Sequence, residues 1–197
     1  MNKKKFTYKK SGVDINAAAL TSAQKRVTAM GLSDRIALHD VSGNAELPFA
    51  NEGFSHVISI DVVMHLPDRQ DSLAKLWRVL KPGGRLLFTD ACIVNGVLSD
   101  EDIRIRSHYG LSHFVPEGFN ESALASAGFT LEKKEKHSDG LIAICSGRWQ
   151  ARERYKKELV GEFGEAAFEH EQAYLKKLVE IYSEQKLLRY AYLANKC

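Results

Sequence analysis

Asp14, Asp40 and Asp61 each close a short run of β-like residues, and Asp90 closes a fourth, Arg85 to Thr89. A carboxylate offers acceptors to two neighbouring hydroxyls or to an amino group. Acids repeated at the ends of parallel strands therefore suit a ligand rich in such groups, because those ends share the edge where open parallel sheets bind ligands. A single aspartate after a strand serves equally well as a helix cap; it is the repetition that carries weight. A second polar group lies in the segment 103–119, where His108, Tyr109 and His113 occur. Histidine can take a proton near neutral pH, and tyrosine can hold a cationic amine by its face or hydroxyl. Tyr109 and Phe114 serve just as well as packing residues. His65, in the turn after Asp61, faces either a ligand or the core.

The elements that must position these residues alternate in an α/β pattern. Lys9 to Asp14 reads as a short strand, with Phe6-Thr7-Tyr8 as its extension. Asn16 caps a helix carrying Leu20, Ala23, Val27 and Met30, which Gly31 stops. Arg35 to His39 and Phe54 to Ile60 read as strands. A helix from about Gln70 to Leu80 presents Leu73, Leu76, Trp77 and Leu80 on one face, and Lys81-Pro82-Gly83-Gly84 forms a turn before the strand Arg85 to Thr89. Beyond Asp90 a helix starts at Ser99-Asp100-Glu101-Asp102, and another spans Pro116 to Ala127. Thr130 to Lys136 is a polar outer strand. Long helices from Ser138 to about Leu159 and from Glu165 to Lys186 follow, with a closing strand over Leu188 to Leu193. The segments form one domain: a core over 1–136, a C-terminal helical cap over 137–186 and a last strand over 187–197.

Composition narrows the class. Hydrophobic residues at 44% and charged residues at 27% fit a soluble globular chain, and no apolar run would span a bilayer. The basic start, Met1 to Lys5, has no apolar signal core behind it. Cys92, Cys145 and Cys197 form neither a disulfide framework nor a metal-binding spacing, which implies a reducing cytoplasm and no metal. A net charge of +3 is too small to argue for nucleic acid. Lys3 to Lys5 with Lys9-Lys10 read as a solvated run.

The blocks Gly12-Val13-Asp14-Ile15, Asp40, Phe54 to Leu66 and Leu80-Lys81-Pro82-Gly83-Gly84-Arg85-Leu86 through Asp90 resemble, in order and spacing, the class I S-adenosylmethionine-dependent methyltransferases. The resemblance covers residues 11–130, and more loosely reaches small-molecule amine methyltransferases over the cap. It implies a Rossmann-like sheet and transfer of a methyl group from S-adenosylmethionine to a small-molecule acceptor. It also implies roles. Asp14, with Ile15, would accept hydrogen bonds from the cofactor ribose, and Asp40 would bind the adenine amino group with Val41 packing beside the ring. Asp61 and His65 would lie where the methionine end meets the acceptor, and His108 and Tyr109 would be the catalytic candidates.

The sequence departs from the family in one respect. It contains no G-x-G, although a glycine-rich loop after the family's first strand brings backbone N–H groups close to the cofactor. The sheet is thus expected to be incomplete, its central first strand missing between the second and fourth. Buried strands without a neighbour leave costly unpaired backbone groups. Direct pairing of those two strands, a second chain in the gap (hence a homo-oligomer), or a longer gene product would each resolve this. The expected consequence is weak cofactor binding. A catalytically inactive remnant acting as a binding or oligomerisation module is the alternative function. A nucleotide-dependent oxidoreductase has no G-x-G-x-x-G to support it.

Overall fold

The side chain of Asn16 accepts from the amide of Ala19 and starts the first helix as the sequence indicates. The computed structural model describes residues 8–41 and 45–197. These fall into two compact units, Met1–Phe49 and Ala50–Cys197. The basic run Lys3 to Lys5 and most of the Phe6-Thr7-Tyr8 extension lie outside the described residues.

The first unit contains β1 (Lys10–Asp14), α1 (Ala17–Ala29) and β2 (Ile36–Asp40). β1 and β2 form a two-stranded parallel sheet whose register sets Asp14 opposite Asp40. Gly31, with φ of 65°, turns the chain after α1 at little steric cost. Only Val27 of α1 is buried.

The second unit is built on a five-stranded sheet in the order β3-β4-β7-β6, with the short β5 beside β4. Its strands are β3 (Phe54–Ile60), β4 (Leu80–Val94), β5 (Val115–Pro116), β6 (Phe129–Lys136) and β7 (Leu187–Lys196). β3 and β4 run parallel, and β7 lies antiparallel between β4 and β6. The helices are α2 (Arg69–Val79), α3 (Asp100–Arg106), α4 (Phe119–Ser126), α5 (Ser138–Arg154), α6 (Lys156–Phe163) and α7 (Glu165–Ser183). One core joins Leu73, Leu86, Phe88, Leu124, Tyr192 and Ala194, where Phe88 and Tyr192 stack across the ladder at 4.7 Å. The other joins Ala91, Cys145, Leu175, Leu178, Ile181 and Tyr182.

Several expectations need correction. Lys81 to Gly84 is not a separate turn but a bulge inside β4, where Leu80 pairs with Phe54 and Arg85 pairs with His56. Asp90 does not end a strand. β4 continues to Val94, and the Asp90 carboxylate is fully buried, bonded to Arg69, to Asn120 Nδ2 (2.9 Å) and to the Cys92 amide (2.8 Å). Pro116 belongs to β5, and its helix starts only after Gly118, whose φ is 89°. The long helix from Ser138 breaks at Tyr155 into α5 and α6.

Among the described residues, β1 pairs with β2 in the sheet of the first unit, and β3 pairs with β4 in that of the second. On β3, Ile58 and Ile60 stand 68% and 50% exposed.

Candidate functional site

In the first unit, the register that pairs Asp14 with Asp40 brings two carboxylates to the same end of a parallel sheet. Asp14 Oδ1 accepts from the amide of Asn16 at 2.9 Å, closing an Asx turn into α1. The carboxylate of Asp40 has no hydrogen-bond or ion-pair partner among the described residues. Ile15 stands 69% exposed, and the amide of Val41 donates to the Asp14 carbonyl at 3.0 Å. The four residues expected to hold adenosine are therefore gathered, with acceptor atoms available. An open hollow of about 780 Å³ along α1 and β2 includes Leu38 and Asp40 in its lining.

In the second unit, Asp61 follows β3 with φ of 52°, a conformation that aspartate tolerates better than most residues. Its amide donates to Thr89 Oγ1 (2.9 Å), whose hydroxyl donates back to Asp61 Oδ1 (2.8 Å). Arg189 of β7 then clamps the carboxylate, Nε and Nη2 lying 3.1–3.2 Å from its oxygens. This is the planar fork-to-carboxylate geometry that arginine favours. The negative charge of Asp61 is thus offset by a partner that sequence reasoning missed. Arg189 sits in an alternating strand, and nothing local marks it as facing a residue 128 positions away.

His65 closes a one-turn 3-10 helix, Val63–His65, also missed from the sequence. Its Nδ1 lies 3.0 Å from the carbonyl of Leu111. A carbonyl only accepts, so Nδ1 carries the proton and a neutral ring keeps its lone pair on Nε2. The amide of His113 donates to the Met64 carbonyl at 2.8 Å. Residues 111–113 are thereby pinned to the turn that follows Asp61.

His108 and Tyr109 begin the same stretch but turn toward the helices. The His108 ring meets those of Tyr109, His170 and Tyr174 at 4.5, 4.3 and 5.5 Å. The Tyr109 hydroxyl donates to the carboxylate of Glu171. Burial, and then that bond, push its phenol up to about 12, so it stays a donor at neutral pH. These two residues come together with each other and with α7.

Beneath the site, the guanidinium of Arg69 joins Asp90, Asn120 Oδ1 (3.0 Å) and the His113 carbonyl. All three side chains are buried. The cluster fixes the base of the loop that carries His108 through His113.

Residues 2–88 match the family described as a methyltransferase domain. The chain is 36% identical over 89 residues to Methyltransferase GfsG of Streptomyces halstedii, which covers 45% of this chain and 31% of that protein. It is 22% identical over 165 residues to Phosphoethanolamine N-methyltransferase 1 of Arabidopsis thaliana, 84% of this chain and 33% of that protein. The chain thus spans about a third of the length of these curated relatives. Among solved structures, Haemonchus contortus phosphoethanolamine N-methyltransferase 2, bound to phosphomonomethylethanolamine and S-adenosylhomocysteine, superposes with a TM-score of 0.88. It does so at 21% identity over 97% of this chain and 44% of that one. The cyclopropane synthase MmaA2 of Mycobacterium tuberculosis gives 0.85 at 16% identity, over 98% and 71%.

Proposed function

For a chain that carries methyltransferase-domain sequence and the Rossmann-like fold of class I S-adenosylmethionine-dependent methyltransferases, we propose transfer of a methyl group from S-adenosylmethionine to a small-molecule acceptor. The observation that carries this reading is the pairing of Asp14 and Asp40 at one sheet end, both with carboxylate oxygens free to accept. Hydroxyls of a ribose and an exocyclic amino group are the donors such a pair suits. Ile15 and Val41 would supply apolar contact beside them.

The bound cofactor would supply an electrophilic methyl group on a sulfonium. Alignment and exclusion of water do most of the work in such a displacement. His65, with Nδ1 held by Leu111, would present Nε2 to an acceptor that must lose a proton. Asp61, already paired with Arg189, would position the acceptor as part of a neutralised pair rather than as a bare anion. His108 and Tyr109 would shape the wall on the helix side.

Residues 1–197 are read as one methyltransferase-like domain, with the helices of 137–186 as its cap and 187–197 as its last strand. A cytoplasmic location is supported by the free thiols of all three cysteines. No described helix is long and apolar enough to cross a membrane.

A second reading, a binding or self-association module without turnover, is favoured by one observation: the exposed Ile58 and Ile60 on a strand with one strand neighbour among the described residues. The test is a thermal shift of the purified chain with S-adenosylhomocysteine. Because the sequence has no G-x-G, the expected result is a rise in midpoint only at ligand concentrations well above micromolar, abolished by Asp40→Ala. No rise from a folded protein, or an equal rise in the variant, overturns the cofactor assignment. A micromolar affinity overturns the expected weakness.

A further inference from the structure

The loop after α3 and the helices α5, α6 and α7 border a cleft of about 390 Å³, lined by His108, Tyr109, Arg148, Arg152, Phe163, His170 and Glu171 among others. Its charges do not balance. The one lining carboxylate, Glu171, is taken up: one oxygen accepts from the Tyr109 hydroxyl and the other from Arg148 Nη2 at 3.0 Å. Lys156, which like Arg152 faces the Phe168 ring, is paired with Glu165 and Glu169. Arg152 has no such partner. Its guanidinium lies 5.3 Å from the centre of the Phe168 ring, and its Nε is shut off from solvent with no hydrogen bond. None of the ion pairs among the described residues uses it. An enclosed charged donor left unpaired is costly, and a planar guanidinium matches carboxylate and phosphate oxygens two at a time. The rings of His108 and His170, 4.3 Å apart, add two further donors or acceptors on the same wall.

We infer that this cleft binds an anionic group, a carboxylate or a phosphate, with Arg152 as its principal partner and Arg148 and the two histidines around it. The loop that supplies His108 and Tyr109 runs directly on to Gly110 and Leu111, where a Cβ on Gly110 would stand 4.0 Å from His65 Nδ1 and the Leu111 carbonyl accepts from that ring. The cleft is thus one residue of backbone away from the wall beside His65. On the proposed function, which this step rests on, the anion is the head group of the methyl acceptor, and its charge is the specificity element that Asp61, already neutralised by Arg189, does not provide.

The test is isothermal titration of the full chain with inorganic phosphate and, separately, with acetate, at constant ionic strength and without cofactor. Arg152→Gln is compared with Arg154→Gln, an exposed arginine that does not line the cleft. The expected result is saturable binding of at least one anion, unchanged in R154Q and about tenfold or more weaker in R152Q, the scale of one charged hydrogen bond. Saturation by phosphate alone assigns a phosphoryl head group, and saturation by acetate alone a carboxylate. Absence of saturation in the wild type, or equal binding by the two variants, overturns the inference. S-adenosylhomocysteine binding by the wild type is measured alongside: its absence counts against the methyl-transfer reading and leaves the anion site standing.

Discussion

Replacing Arg69 by methionine should be among the most damaging single changes in the second unit. Arg69 is 3% exposed and Asp90 fully buried. Removing the guanidinium leaves the Asp90 carboxylate with only Asn120 Nδ2 and the Cys92 amide, and strips donors from Asn120 Oδ1 and the His113 carbonyl. Breaking a buried ion pair from one side costs roughly 3–5 kcal/mol. For a unit of this size each kcal/mol lowers the melting midpoint by roughly 2–4 °C. A loss of about 4 kcal/mol, seen as a midpoint about 8–16 °C lower, is therefore expected. Urea unfolding followed by far-UV circular dichroism measures the free energy directly. The double variant Arg69→Met/Asp90→Asn should recover part of the loss, because the stranded charge is gone. A loss below about 1 kcal/mol in the single variant would refute the argument. So would a double variant no more stable than the single one, since packing rather than charge would then be the cause.

Asp102 closes the capping box of α3 with Ser99. Burial pushes its carboxyl up, but the Ser99 amide and hydroxyl and the Lys177 ammonium outweigh that and hold it down at about 2. A carboxylate depressed in the folded state stabilises above its unfolded value and loses that contribution as pH falls through the folded one. The wild type should therefore lose stability between about pH 4 and pH 2, and Asp102→Asn should flatten that part of an acid-unfolding curve. An unchanged slope would remove Asp102 as its source. Gly84→Ala should cost about 1–3 kcal/mol in the same urea assay, because a Cβ there would meet the Lys81 carbonyl at 2.8 Å and the Ser55 carbonyl at 3.2 Å. Both are backbone atoms, and a variant as stable as the wild type would mean that the bulge in β4 relaxes freely.

What the sequence made legible was local. Period and punctuation placed β3, α1, α2 and β6 to within a residue or two, because apolar runs, Asn16 and Gly31 act over one turn of chain. Asp14 and Asp40 stood out because each ends a β-like run, and the register sets them opposite one another. Of the four local readings that the fold corrects, two show plainly why they failed. Pro116 suits the first turn of a helix, yet Val115–Pro116 is taken by β4 and the left-handed Gly118 delays the helix. Tyr155 breaks a helix without glycine or proline to announce it. The larger omissions are the arginines. Arg69, Arg152 and Arg189 look like surface charges in a one-dimensional reading, and only tertiary folding sets them against Asp90, Phe168 and Asp61.

β7 also has a consequence in time. Residues 187–196 follow every other strand of the sheet in the sequence yet form an inner strand, pairing Asn195 with Arg85 on one side and Tyr190 with Lys136 on the other. Until they emerge, β4 and β6 lack the strand that joins them, and Phe88 waits for the Tyr192 ring that will stack on it. Contacts of such long sequence separation close slowly. A nascent chain stalled short of residue 187 would hold its helices on a sheet still in two pieces, a form open to chaperones and to association with other unfinished chains.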